Sequence, residues 1–187
     1  MTDKIKKILK ESVDVKRKLI EKDLSSIADL AQTIIGAIKS GNKVLIFGNG
    51  GSASDSIHMA AELVGRFKKE RKAVPVIALP ANISIITSIG NDYGFEKIFE
   101  RQIEALGKKG DIALGITTSG RSKNVLNGLA QAKKLGLKTA SLVGDHVKDI
   151  SGLSDIVISV DSSNTPRIQE SHVTIIHIIC ELIEDAL

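Results

Sequence analysis

Residues 43–54 read KVLIFGNGGSAS, and this stretch decides the fold. Its apolar run, residues 44–47, predicts a buried strand, and the glycines behind it predict a tight turn that opens a helix. A glycine-rich turn at the start of a helix exposes backbone N–H groups beside the positive end of the helix dipole, and such groups bind phosphate. Taken alone, residues 48–54 also suit an ordinary strand-to-helix turn with a serine cap.

Four more short apolar runs follow, separated by segments with helical periodicity: residues 74–79, 112–116, 139–143 and 156–160. Five short strands that alternate with helices predict an α/β fold with a five-stranded parallel sheet. Pro75 lies inside the second run. It predicts that this strand starts irregularly or lies near an edge of the sheet.

The first 40 residues have apolar positions at helical spacing, which predicts two helices or one long broken helix. They carry no cluster of reactive side chains, so we assign them to packing or oligomerisation. The sequence contains no linker, repeat or low-complexity segment. We therefore predict a single domain over residues 1–187, with a helical extension over residues 1–40 and an α/β core over residues 41–187.

The composition argues against several functional classes. Of the 187 residues 42% are hydrophobic, but there is no Trp and one Tyr, so stacking on nucleobases is not expected. The net charge of +4 comes from cations interleaved with carboxylates, which argues against a nucleic-acid partner. No segment reaches the roughly 20 apolar residues of a membrane span, and no signal peptide is readable. The single Cys180 fits a reducing compartment, so we predict a cytoplasmic protein with no membrane partner.

A second loop of small polar residues follows the third predicted strand. Residues 117–122 read TTSGRS and precede a helical segment that starts near residue 123. Hydroxyls and backbone N–H groups can surround a phosphate without a metal. Two such loops at the carboxyl ends of parallel strands would face one crevice, where the ligands of open α/β sheets bind.

A dinucleotide site is the main competing interpretation of the first loop. Gly48, Gly50 and Ala53 satisfy the pattern G-x-G-x-x-G/A. Such a site needs an acidic residue at the end of the second strand to hold the ribose, and this strand ends in LPA, residues 79–81. We therefore predict no nucleotide cofactor.

Several side chains have the chemistry for acid-base work or sugar binding. His58 and Glu62 are four residues apart on the helix after the first loop and project from one face, although such pairs are common on surfaces. His177 lies in an apolar, β-branched run, which predicts a buried residue, either a core histidine or a proton carrier. Asn91 and Asp92 suit a simple turn or contacts with sugar hydroxyls.

Four motifs follow one another along the chain: Gly48-Asn49-Gly50-Gly51-Ser52, Gly90-Asn91-Asp92, Thr118-Ser119-Gly120-Arg121-Ser122 and Arg167-Ile168-Gln169-Glu170. In this order they resemble the phosphoheptose isomerases of the sugar isomerase (SIS) domain family, and the resemblance covers nearly the whole chain. It implies a three-layer αβα sandwich of the flavodoxin-like type. The sequence departs from the pattern at Pro166, where some relatives have an aspartate.

The resemblance also implies an activity, an assembly and a site. The activity is the isomerisation of D-sedoheptulose 7-phosphate to D-glycero-D-manno-heptose 7-phosphate through an enediol, for bacterial heptose and lipopolysaccharide, in a homotetramer with active sites at subunit interfaces. The catalytic acid-base pair would be Glu62 and His177. One zinc ion per subunit would be held by His58, Glu62, Gln169 and His177. The substrate would be contacted by Asn49, Gly50, Gly51, Ser52, Glu62, Asn91, Asp92, Thr117, Thr118, Ser119, Ser122 and Gln169.

The spacing of two implied zinc ligands adds a geometric expectation. Gln169 and His177 are eight residues apart, which corresponds to about 12 Å along a helix and about 80° around it. A single straight helix would be strained if it brought both side chains onto one ion. We therefore predict that these two residues reach a given zinc ion from different subunits.

Two alternatives without catalysis remain open for a chain of this fold. One is a protein that binds the replication initiator, and the other is a module that senses a sugar phosphate. Neither needs an acid-base pair, so the presence of Glu62 and His177 favours the enzyme.

Overall fold

After an all-helical start, strands and helices alternate along the chain except between the fourth and fifth strands. The helix predicted there is absent, and residues 144–155 form turns and bends instead. The computed structural model describes residues 1–22 and 24–187, which form seven α-helices and five strands. In chain order these are α1 (Thr2–Glu21), α2 (Ser25–Lys39), β1 (Val44–Gly48), α3 (Gly51–Val64), β2 (Val76–Ala78), α4 (Ile83–Tyr93), α5 (Glu100–Leu106), β3 (Ile112–Thr117), α6 (Lys123–Lys134), β4 (Lys138–Val143), β5 (Ile156–Ser159) and α7 (Thr165–Ala186). None of these helices combines the length and the apolar character that crossing a bilayer requires.

Within the described residues the strands form a parallel sheet in the order β2-β1-β3-β4-β5. This is the order of flavodoxin-like doubly wound folds, and it confirms the predicted fold class. The edge strand β2 has three residues and begins at Val76, directly after Pro75. A proline lacks the N–H group that a central strand must donate, which explains the late start and the edge position.

Helices cover both faces of the sheet, because successive residues of a strand point to opposite sides. Along β1, Val44 and Ile46 belong to an apolar core that includes residues of α2, α3 and α7. Leu45 and Phe47 belong to a second core, on the opposite face, that includes residues of α5 and α6. The result is the predicted αβα sandwich, in which α3 and α7 lie on the same face and contact each other.

The last helix carries two histidines in different surroundings. His172 is fully buried, and its Nε2 atom lies 3.3 Å from the carbonyl oxygen of Val143 in β4. Burial lowers the pKa of His172 to about 4, so the imidazole is neutral near pH 7. His177 is only partly buried and contacts α3. The expectation of a buried His177 was therefore too strong, because the side of α7 that faces the sheet carries His172 instead.

Candidate active site

The two predicted phosphate loops lie side by side. β1 pairs with β3, and Gly48 at the end of β1 lies opposite Ile116 near the end of β3. Residues 48–54 and 117–122 therefore follow neighbouring strands and lie at the same end of the sheet, where the parallel strands have their carboxyl ends. The strand order reverses here, between β1 and β3, and ligands of open α/β sheets bind at such a point. Each loop leads directly into a helix, α3 or α6, whose positive end favours an anion in the crevice.

The first loop needs its glycines because other groups approach it closely. A Cβ atom at position 48 would lie 2.7 Å from Cβ of Ser52 and 2.8 Å from the carbonyl oxygen of Ile116. At position 51 a Cβ atom would overlap the carboxamide of Gln169, which extends from α7. Gln169, a predicted substrate contact, thus lies directly over the N-terminus of α3.

The hydroxyl groups of the second loop are gathered around its turn. Thr117 Oγ1 lies 3.0 Å from Ser122 Oγ and 3.5 Å from Ser119 Oγ. The N–H group of Arg121 donates to Ser119 Oγ at 3.2 Å, which holds the turn in place. Thr118 lies in the same turn and is half-buried. Hydroxyls donate hydrogen bonds as well as accept them, so the predicted set can contact phosphate oxygens.

A pair of amides joins the two loops. Asn49 and Asn124 exchange two hydrogen bonds, in which each Nδ2 donates to the other residue's Oδ1 at 2.8 Å. The Oδ1 atom of Asn124 also accepts from the N–H group of Val125 at 2.9 Å. Asn124 is buried and is absent from the residues predicted from the sequence. Its one signal was a position two residues after the second loop, and only the structure identifies its partner.

His58, Glu62 and His177 form a cluster between α3 and α7. His58 Nε2 lies 3.0 Å from Oε1 of Glu62, one turn further along α3. The same nitrogen lies 3.4 Å from Nε2 of His177, and the two rings meet edge to face with centroids 5.0 Å apart. Phe67 also packs against His177, with ring centroids 5.4 Å apart. A single chain therefore brings these three predicted residues together.

A buried carboxylate lies beside this cluster. Asp55 is three residues before His58 on α3, and its Oδ2 atom has no hydrogen-bond partner among the residues described here. Burial raises the pKa of Asp55 to about 6, and the nearby His58 opposes the rise. Nothing in its sequence spacing distinguished Asp55 from a surface residue. The fold thus places a carboxyl group with a raised pKa, about 6, next to the predicted acid-base residues.

The spacing of the two imidazoles fits a zinc ion. Nitrogen ligands about 2.0–2.1 Å from a tetrahedral zinc are roughly 3.3–3.4 Å apart, and 3.4 Å separates the Nε2 atoms of His58 and His177. In the part of the chain that the structure describes, no group of three or more His, Cys, Asp or Glu side chains is arranged so that it could hold a metal ion by itself. Gln169 lies at Gly51, about 10 Å from His58 along α3. One chain thus supplies two imidazole nitrogens at a separation that suits zinc, with Glu62 beside them. Its Gln169 lies at the other end of α3.

Asn91 and Asp92 lie apart from the loops. Both are exposed in the last turn of α4, where Asn91 Nδ2 donates to Asp92 Oδ1 at 2.8 Å. Over residues 1–22 and 24–187, neither side chain forms a hydrogen bond with a loop. The structure therefore does not bring these two predicted substrate contacts into the site of a single chain.

Comparison with known proteins identifies relatives along the whole chain. Residues 8–144 match the family model of the SIS domain. A phosphoheptose isomerase of Aquifex aeolicus is 52% identical over 185 residues, which cover 99% of this chain and 97% of that protein. A solved phosphoheptose isomerase from Francisella tularensis is similar with a TM-score of 0.95 and 36% identity, over 98% of both chains. A second, from Neisseria gonorrhoeae, has a TM-score of 0.93 and 32% identity, again over 98% of both.

The amide pair between the loops can be tested by the substitution Asn124→Ala. This change removes both hydrogen bonds to Asn49, each worth about 0.5–1.5 kcal/mol, and frees the first loop relative to the second. We expect the affinity for inorganic phosphate, measured by calorimetry, to fall roughly three- to tenfold. The control is Asn127→Ala on the same helix, whose partly buried side chain donates to the carbonyl oxygen of Glu96 and has no hydrogen bond to Asn49. Equal affinities in the wild type and the Asn124→Ala variant would contradict a role for this pair in phosphate binding.

Proposed function

The chain belongs to the SIS domain family and, within it, to the phosphoheptose isomerases, and we propose that it isomerises sedoheptulose 7-phosphate to D-glycero-D-manno-heptose 7-phosphate. One observation carries this proposal: the helix that starts in a phosphate loop also carries His58 and Glu62, which meet His177 of α7. Gly51 and His58 are about 10 Å apart along α3. A sugar chain anchored by its phosphate at one end of α3 therefore extends toward reactive side chains at the other. The product supplies bacterial heptose biosynthesis.

The reaction moves one proton between the two carbons and one between the two oxygens, and two residues are available for these transfers. Glu62 takes the proton from C1 of the ketose and returns it to C2, and the intermediate is an enediol. His177 protonates the carbonyl oxygen at C2 and later receives the hydroxyl proton at C1, so the net change is the exchange of carbonyl and alcohol. General acid-base catalysis of this kind is worth on the order of 10²- to 10⁴-fold in rate.

The phosphate loops contribute by holding the substrate in place. The paired Asn49 and Asn124 keep the first loop in a fixed position relative to the hydroxyls of the second loop. A phosphate held by both loops leaves the distant end of the sugar few orientations. Positioning of this kind lowers the barrier by supplying in advance the entropy that the reaction would otherwise lose.

A zinc ion is part of the proposal, with His58, Glu62, Gln169 and His177 as the residues that would hold it. The 3.4 Å separation of the two imidazole nitrogens supports this assignment. When bound, zinc acts as a Lewis acid that polarises a carbonyl group. A carboxylate bound to zinc is a weaker base, so the two proposed roles of Glu62, ligand and base, compete, and we give catalysis priority.

We further propose a homotetramer whose active sites lie at subunit interfaces. Exposed apolar side chains next to the cluster support this: Ile57 adjoins His58, and Ile178 adjoins His177. An apolar groove between α1, α2 and α7 continues from Ile178 and includes Leu19, Ile20, Leu24, Ile27 and Leu182. A subunit that covered this groove would lie against the site and could contribute its own Gln169 to the zinc ion.

The alternatives without catalysis gain no support from the relatives reported above, which are phosphoheptose isomerases by name. A sugar-phosphate sensor or an initiator-binding protein would also have no need for the acid-base residues Glu62 and His177. A location in the cytoplasm remains our proposal, and the free, buried thiol of Cys180 is compatible with it.

Turnover is the direct test of the proposed activity. We expect the purified protein to convert sedoheptulose 7-phosphate in a coupled assay, and both Glu62→Gln and His177→Gln to lower kcat at least about 10²-fold. Glu181→Gln, an exposed position on the same helix as His177, serves as the control with near wild-type kcat. Wild-type rates in folded Glu62→Gln and His177→Gln variants would refute their roles. Saturable binding of sugar phosphate without any turnover would point to the sensor.

Zinc dependence is tested by metal analysis. We expect about one zinc ion per subunit, a loss of turnover after chelation, and recovery when zinc is added. The substitution His58→Gln removes one imidazole ligand and should lower the zinc content of folded protein. His146→Gln should leave it unchanged, because the His146 ring contacts Arg121 and Asp149 and not the cluster. A rate that survives complete removal of zinc would count against a catalytic metal.

The prediction that each active site is formed by two subunits can be tested by mixing two variants. If Gln169 and His177 at one site come from different subunits, a mixture of Gln169→Ala and His177→Gln chains contains intact sites. Random assembly of a symmetric tetramer should then restore about a quarter of wild-type turnover. A mixture no more active than its components, in a sample that light scattering shows to be tetrameric, would place both residues of each site in one chain.

A further inference from the structure

The connection between α3 and β2 is held against the last turns of α7 by one buried carboxylate. Glu184 accepts hydrogen bonds from three successive backbone N–H groups, those of Phe67 at 3.0 Å, Lys68 at 2.7 Å and Lys69 at 2.9 Å. Its side chain is 1% exposed. Although burial acts to raise the pKa of Glu184, these hydrogen bonds and the charge of Arg71 hold it below its usual range. The carboxylate is therefore ionised at neutral pH.

Arg71 connects that carboxylate to the end of α3. Its Nε atom lies 3.3 Å from Oε1 of Glu184, and its side chain is 5% exposed. Its Nη2 atom donates to the carbonyl oxygen of Glu62 at 2.8 Å, and Nη1 donates to that of Leu63 at 2.8 Å and that of Lys72 at 3.1 Å. The last carbonyl groups of a helix have no partner within the helix, and a cation near this end is favoured by the helix dipole. One guanidinium thus fixes the turn of α3 that carries Glu62.

The same pair is also connected to α7, the helix that carries His177. Glu184 follows His177 by seven residues on α7, which is two turns, so both side chains project from the same side of that helix. A chain of contacts therefore runs from the backbone of Glu62 through Arg71 and Glu184 to the helix of His177. We propose that Arg71 and Glu184 are positioning residues that set the separation and orientation of Glu62 and His177. This inference rests on the proposed function, because it assigns the pair a part in that reaction.

Neighbouring ion pairs of the same two segments lack these properties. Lys68 pairs with Glu181 at 2.7 Å, with side chains 56% and 48% exposed, and Lys69 pairs with the exposed Asp185. Such pairs bridge the same connection and the same helix, but solvent screens them and they contact no carbonyl group of α3. These pairs offer a matched control. Substituting one of their carboxylates removes a charge from the same part of α7 but keeps the contact between Arg71 and Glu62.

The test compares Arg71→Lys and Glu184→Gln with the control Asp185→Asn. A lysine keeps the charge but cannot reach several carbonyl groups at once, and a glutamine keeps the size but replaces one accepting oxygen by a donor. We expect kcat for sedoheptulose 7-phosphate to fall roughly tenfold or more in both variants, because small displacements of reacting groups are costly. KM should change less than about twofold, since the phosphate loops lie at the other end of α3. Asp185→Asn should match the wild type.

Amide hydrogen exchange supplies a readout that does not depend on turnover. We expect faster exchange at residues 67–69 and in the last turn of α3 in both variants, and wild-type exchange in Asp185→Asn. If the wild type shows no turnover, the proposed activity fails, and exchange still decides whether the pair fixes this turn. Wild-type kcat in either folded variant would overturn the proposal. So would a fall in kcat that merely follows the fraction of unfolded protein, or a KM that rises as much as kcat falls.

Discussion

The pairing of β1 with β3 is the constraint on which the site depends. Each strand ends in a loop of small residues. Because the two strands are parallel neighbours, both loops lie at the carboxyl end of the sheet. Position 48 has to be glycine because Ser52 and the carbonyl oxygen of Ile116 occupy the space of a side chain. The amide pair of Asn49 and Asn124 then joins the two loops into one unit. The crevice that we propose as the phosphate site follows from the topology together with these local contacts.

The helix α3 turns that phosphate site into a site for a reaction. Its first turn belongs to the phosphate loop, and its last two turns carry His58 and Glu62. Because a helix is stiff and rises about 1.5 Å per residue, the distance from anchor to chemistry is fixed by residue number. The neighbouring helix α7 places Gln169 at one end of α3 and His177 at the other. Two packed helices therefore set both the distance from the proposed phosphate site to the cluster and the geometry of the proposed acid-base pair.

Buried polar groups divide into those that stabilise the fold and those near the chemistry. The imidazole of His172 stays neutral in the core, and its Nε2–H group donates one hydrogen bond to the carbonyl oxygen of Val143. Glu184 is ionised but receives three backbone N–H groups, so its burial is well compensated. Asp55, in contrast, has an oxygen without a partner within the described chain and titrates near neutrality. Incomplete compensation of this kind is typical of functional sites.

The sequence by itself determined the fold class, and it supplied the candidate site residues, whose roles stay predictions. Apolar runs of strand length, the two small-residue loops and Pro75 were enough for the parallel sheet and its edge strand, because these signals depend on local backbone and side-chain preferences. Spacing also placed His58 and Glu62 on one helix face. Tertiary structure alone decided that His177 meets His58 while Gln169 meets Gly51, that Asn124 holds Asn49, and that Arg71 joins Glu184. These contacts join residues 75 to 119 positions apart in the chain. They depend on how the helices pack on the sheet, which local preferences do not specify.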